Sequence, residues 1–270
     1  MILLGPAGSP LKSTIEGISE IRKLGLQAME VEFTHGIKMS DYLAKEIFNE
    51  NKNYNVVLSV HAPYFINLAS EDSAKKNASV QRILKSCELG NYMGAKSIVF
   101  HAAYYGKNSE EKTYDIVKEA VFAMQEKIEK NSWNVELCPE TTGKKSEFGT
   151  LEELLRLRKE TKCGICIDFA HILARNKSIN YKELFDKIER AGIKKIHSHF
   201  SGIVFGDKGE KHHRDLSEDE ILPLAKEILK RNIGITIICE SPSTWRDALK
   251  IKSVFEGLGY KFNQNYQKLN

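Results

Sequence analysis

Several things are missing from these 270 residues, and each absence narrows the reading. No apolar run approaches the roughly 20 residues that a membrane-crossing helix requires. The opening MILLGPAGSP has neither the basic start nor the long apolar stretch of a secretory signal. It reads as a first strand, so a cytoplasmic protein without membrane partners is expected. No linker or low-complexity tract divides the chain, which predicts one domain over residues 1–270. Cysteine is scarce and odd in number, at five, which argues against a disulfide framework. Cys163 and Cys166 form a C-x-x-C, but the run CGICID reads as a strand, where residues three apart point to opposite faces. With Cys87, Cys138 and Cys239 they are expected to be small buried hydrophobes. Charge of one sign is also lacking in excess: the net +4 is compatible with nucleic acid without demanding it.

What is present is a repeat of strand and helix. Hydrophobic residues make up 41% of the chain and charged ones 28%, ordinary values for a globular domain with a sizeable core. Short runs rich in Ile and Val fall at Ile2–Leu4, Ala28–Phe33, Asn55–Val60, Ser97–Phe100, Val135–Leu137, Gly164–Ile167, Lys195–His199 and Ile235–Cys239. That is the pattern of strands buried on both faces of a parallel sheet. Helical stretches separate them. Ser13 with Glu16, Thr150 with Glu153 and Ser217 with Glu220 are spaced as capping boxes, and Gly25, Gly94 and Gly192 stand where helices end. The stretch from Ser109 to Lys130 sets Ile116, Ala120, Ala123, Met124 and Ile128 near helical spacing. Eight such units predict a (β/α)₈ barrel, a fold that takes roughly 250 residues. The longest connections, Ser201–Leu216 and His61–Ser73, then lie at the rim where functional loops belong.

Nine residues able to bind metal stand at or just beyond these strands. They are His61 (SVHAPY), His101 (IVFHA), Glu140 (LCPETTG), Asp168 and His171 (CIDFAH), His199 (HSHFSG), Glu210 and His212 (GEKHH), and Glu240 (ICESP). A closed parallel barrel gathers such residues at its C-terminal rim. Each alone has a bland reading: a strand-end carboxylate caps the next helix, and GDKGEKHHRD is a solvated charge run. Together they need a cation, because clustered buried carboxylates and imidazoles are costly without one. Imidazole and carboxylate without thiolate suits Zn²⁺, with Mn²⁺ or Fe²⁺ as neighbours in chemistry. Asp168-x-x-His171 is expected to serve two different ions. His197 shares a face with His199 but lies deeper, as a polar core residue; His213 is expected to be a neighbour of the site or to face solvent. Glu32 and His35 close the second strand and are left outside the ligand set.

In chain order SVHAPY, FHAA, PETTG, CIDFAH, HSHFSG, GEKHHR and CESP resemble the endonuclease IV family of DNA-repair enzymes, within the xylose-isomerase-like barrels. The likeness runs from Gly5-Pro6-Ala7-Gly8 to Glu240-Ser241-Pro242. It implies a metal-dependent phosphodiesterase, acting as a monomer on duplex DNA, that cuts 5′ of abasic sites. It implies up to three zinc ions: one on His61, His101 and Glu140, one on Glu140, Asp168, His199 and Glu240, and one on His171, Glu210 and His212. Glu140, Asp168 and Tyr64 would be catalytic, Tyr64 as the tyrosine of the family's pocket. The chain departs from the pattern at three points. Glu210 stands where the family has Asp, Phe200-Ser201 where it has Asn-Asp, and Phe33-Thr34-His35-Gly36-Ile37-Lys38 keeps only the opening Phe-Thr of a loop that enters DNA. The alternatives are a one-ion sugar isomerase or epimerase on the same barrel, and an inactive barrel with structural metal.

Overall fold

All eight expected strands form, and all run parallel, in a computed structural model that describes residues 1–262. They are Ile2–Pro6, Ala28–Glu32, Val57–His61, Ser97–Phe100, Glu136–Pro139, Cys166–Asp168, Lys195–Phe200 and Gly234–Cys239. The first strand pairs with the eighth, the eighth with the seventh and the seventh with the sixth, while the second to fifth form a like run. Bridges from Ala7 to Glu30 and from Glu140 to Cys166 join the two runs into a closed (β/α)₈ barrel. Closure brings strands one and two very near each other: a Cβ on Gly5 would lie 1.8 Å from the Ala28 carbonyl oxygen.

The pleat sorts the side chains. Leu4, Met29, Leu58, Val60, Ile98, Phe100, Leu137, Ile167 and Ile237 face outward and join the helices in the main core. Inside the barrel an apolar layer of Val99, Cys138 and Cys166 supports the polar rim above it. All five cysteines are free and buried, as expected.

Helices follow each strand, with two after the sixth, Phe169–Asn176 and Tyr181–Arg190. The box at Thr150 is complete: its hydroxyl accepts from Glu153 N–H at 3.2 Å and the Glu153 carboxylate accepts from Thr150 N–H at 2.8 Å. At Ser13 only half forms, since Glu16 takes the Ser13 hydroxyl proton at 2.9 Å instead of the backbone N–H. Gly25, Gly94 and Gly192 adopt positive φ at helix ends. Among the described residues no helix is long and apolar enough to cross a membrane.

The connection from Ser201 to Leu216 is not an irregular loop. It forms an antiparallel hairpin, Gly202–Gly206 with Gly209–Arg214, standing on the rim against the helix Phe169–Asn176.

Candidate metal centre

Glu140, just past the fifth strand, is the hub. One carboxylate oxygen lies 3.3 Å from His61 Nε2 and 3.0 Å from His101 Nε2. The other lies 3.1 Å from His199 Nδ1 and 3.3 Å from His171 Nδ1. Four groups have ligand atoms within 4.8 Å of one another: His61, His101, Glu140; then Glu140, Asp168, His199, Glu240; then Asp168, His171, His213; and, deeper in the barrel, Cys166, His197, His199. Glu140 and Asp168 each belong to two groups.

Asp168 ends the sixth strand and also caps the next helix. Its Oδ1 accepts from His171 N–H at 2.7 Å, which leaves Oδ2 buried without a hydrogen bond. Capping and ligation, alternatives in the sequence, thus use different oxygens of one carboxylate. The Thr141 hydroxyl accepts from Asp168 N–H at 2.8 Å and holds the strand end in place.

Three imidazoles are aimed in the same way. His61 donates Nδ1–H to the Ala62 carbonyl at 2.7 Å, His171 to the Thr141 carbonyl at 3.0 Å and His213 to the Glu240 carbonyl at 3.1 Å. A carbonyl is only an acceptor, so Nδ1 carries a proton and Nε2 is the nitrogen turned toward the site. His171 Nε2 then stands 3.3 Å from His213 Nε2 and 3.4 Å from a Glu210 oxygen.

His213 occupies the place expected for His212, whose side chain is exposed. The cause is a bulge. Phe205 pairs with Glu210 but Val204 pairs with His212, so Lys211 is an extra residue on its strand. Beyond the bulge the alternation is reversed, and Glu210 shares a face with His213. Glu210 and His212 would share a face only on a strand without the bulge.

Two carboxylates of the second strand, buried Glu30 and half-buried Glu32, lie outside the expected ligand set. Glu30, fully buried, is 2.9 Å from His197 Nε2 and 2.8 Å from His199 Nε2. Glu32 also faces the site, with Oε1 buried and without a hydrogen bond. The alternation in AMEVE, glutamates at every second position of a buried strand, was the available signal. His197 is the deeper polar residue expected. Tyr64, 47% exposed, stands over the mouth with its ring 5.2 Å from that of His61 and 6.5 Å from that of His35.

The electrostatics point to missing positive charge. Burial works to raise the Glu140 and Glu240 carboxyls, yet His199 and its neighbours prevail, leaving Glu240 at about 2 and Glu140 well below its usual range. Burial works to lower His61, but Glu140 and the other carboxylates lift it to about 10. Glu32 is pushed well up by burial and by the Glu30 charge. Protons on imidazoles thus stand where divalent ions would balance the carboxylates. The orphaned Asp168 Oδ2 and the opposed Nε2 atoms of His171 and His213 fit such ions, and the oxygen and nitrogen donors suit zinc.

The sequence profile of the xylose isomerase-like TIM-barrel family matches residues 18–257. An uncharacterized protein of Methanocaldococcus jannaschii is 36% identical over 96% of this chain and 98% of its own length. A probable endonuclease 4 of Aquifex aeolicus is 26% identical over 64% of this chain and 65% of its own length. Among solved structures, endonuclease IV from Thermus thermophilus superposes with a TM-score of 0.72 at 20% identity, covering 94% of this chain and 98% of that one. A D-tagatose 3-epimerase-like protein superposes with a TM-score of 0.71 at 21% identity, covering 94% and 96%. At such identities the two superpositions establish the fold alone.

Proposed function

This chain belongs to the xylose isomerase-like TIM-barrel family, and from that premise we propose that it is a metal-dependent phosphodiesterase of DNA repair, cutting duplex DNA 5′ of abasic sites. Products would be a 3′-hydroxyl and a 5′-deoxyribose phosphate. One observation carries the reading: at the rim the central Glu140, Asp168, His199, Glu240 set shares Glu140 with one further ligand group, His61 and His101, and Asp168 with another, His171 and His213. A single-ion enzyme has no use for them. The relatives named probable endonuclease 4 add sequence support.

Zinc, or manganese or iron, held by His61, His101 and Glu140, by Glu140, Asp168, His199 and Glu240, and by His171, Glu210 and His213 would lower the pKa of water toward 7 and neutralise charge on the phosphate oxygens. The protein's part is position. Glu140 ties the first two groups together, and Asp168, whose Oδ1 accepts from His171 N–H, ties the second to the third. Tyr64 covers the mouth beside His61, where a sugar ring would enter. Exposed Lys144 and Lys145 stand beside Lys208 of the hairpin turn, joined through a Lys145–Lys208 backbone bond of 3.3 Å. Such a cationic shoulder suits a phosphate backbone. An abasic sugar is cheap to extrude because no base is paired.

The central four residues alone also suit one-ion epimerisation of a sugar, with Glu140 and Glu240 as acid and base. The discriminating experiment offers zinc-loaded protein a duplex with one abasic site, then repeats it after exhaustive chelation. Cleavage directly 5′ of the lesion, lost on chelation, is expected. No cleavage, with a keto-sugar interconverted at one ion per chain, would transfer the assignment to the epimerase.

A further inference from the structure

Each ring that points a nitrogen into the site needs its other nitrogen held. For His61, His171 and His213 a backbone carbonyl does this through Nδ1. His199 is turned the other way round. Its Nδ1 faces the Glu140 and Glu240 carboxylates at 3.1 and 3.3 Å, and its Nε2 points down into the barrel. No carbonyl waits there. Glu30 Oε1 lies 2.8 Å from Nε2, and both atoms are buried without a formed hydrogen bond among the described residues; Cys166 Sγ lies within 4.8 Å of a ring nitrogen of His197 and of His199.

We infer that Glu30 is a positioning residue of the metal centre: its carboxylate takes the Nε2 proton of His199 and so commits Nδ1 to the ion shared with Glu140, Asp168 and Glu240. The placement follows from the pleat, since Glu30 sits one inward position below Glu32 on the second strand. His197, two residues below His199 on the seventh strand, supplies the second contact, 2.9 Å from the other oxygen of the fully buried Glu30. The sharing of one carboxylate by two imidazoles explains why an H-x-H stands here when only His199 reaches the rim. A carboxylate behind a ligating imidazole orients the ring and raises its basicity, and removing such a partner typically weakens metal binding by roughly 10–100-fold.

The inference rests on the metal-centre reading, and the test separates the two. Zinc affinity is measured by chelator competition on wild-type, Glu30→Leu and Glu30→Gln, and the His199 ring nitrogens are followed by long-range ¹H–¹⁵N spectra. Glu30→Leu is expected to lose roughly 10–100-fold in affinity for one ion and leave the others. Its His199 spectrum should show loss of the single Nε2–H tautomer. Glu30→Gln, whose amide oxygen still accepts the proton, should recover most of the affinity and the tautomer. If the leucine variant does not fold, the zinc-loaded wild-type spectrum still decides: a His199 ring with its proton on Nε2 and the ion on Nδ1 supports the role, and an ion on Nε2 overturns it. A cobalt-loaded protein with a thiolate charge-transfer band that Cys166→Ser abolishes would also overturn it, because His197 and His199 would then be ligands beside Cys166. Wild-type protein that retains no zinc overturns the metal reading itself, whereas zinc-bound wild-type with indifferent variants overturns this role alone.

Discussion

His171 and His213 face each other through their Nε2 atoms at 3.3 Å, each on a ring whose Nδ1 donates to a carbonyl. Two lone pairs at that distance repel unless a cation or a proton lies near both. Glu210, 3.4 Å from His171 Nε2 and 3.8 Å from His213 Nε2, supplies negative charge on the same side.

His213→Ala is therefore expected to remove about one divalent ion per chain and to lower cleavage by more than ~10²-fold, since an ion facing developing charge contributes several kcal/mol. His212→Ala, one residue away on the opposite face, should keep both ions and rate within about 2-fold. Elemental analysis and single-turnover cleavage of the two variants settle the assignment; equal losses would return His212 to the site.

Glu140→Gln keeps size and shape but removes the charge shared by two ligand groups. A fall in kcat of at least ~10³-fold is expected, with the barrel intact by circular dichroism. Wild-type turnover would reduce Glu140 to a structural residue.

Protons and metal compete for the same nitrogens. His61 titrates near 10 in the metal-free fold, against an ordinary 6.5, because Glu140 and other carboxylates outweigh the burial that opposes its charge. A raised folded pKa contributes stability that is complete below about 6.5 and is lost as pH rises through about 10. Thermal melts of chelated protein should accordingly fall across that interval, while zinc-loaded protein, with the ion in the proton's place, should vary less. Zinc binding at pH 7 should release protons, read by calorimetry in buffers of different ionisation enthalpy. Binding without proton release would contradict the charged state of His61.

Gly5→Ala tests closure of the barrel. The added methyl would sit 1.8 Å from the Ala28 carbonyl oxygen, a backbone atom that cannot swing aside. A loss of about 3 kcal/mol is expected from overpacking. Urea denaturation would register it as a lower midpoint at unchanged slope, and an unshifted midpoint would mean that strands one and two separate freely.

Much of this was legible in the chain because it depends on local pattern. Short Ile- and Val-rich runs, boxes such as Thr150–Glu153 and glycines such as Gly94 mark elements through backbone preference within a few residues. Strand ends were less certain: the third reaches His61 instead of Val60 because His61 pairs across to Glu32 and Val99. Eight of the nine ligand candidates, all but His212, come together at the rim, since one topology carries every strand end to the same place.

What the chain alone determined is thus the barrel, its direction and the gathering of imidazole and carboxylate at one end, all consequences of period-two burial and parallel order. Tertiary structure decided what no spacing encodes. A one-residue bulge at Lys211 exchanged His212 for His213. Closure of the barrel set Glu30 of the second strand beneath His199 of the seventh, a contact across 169 positions of sequence. A bulge is read from its partner strand and a cross-barrel contact from shear and tilt, so both exist only once the sheet has closed.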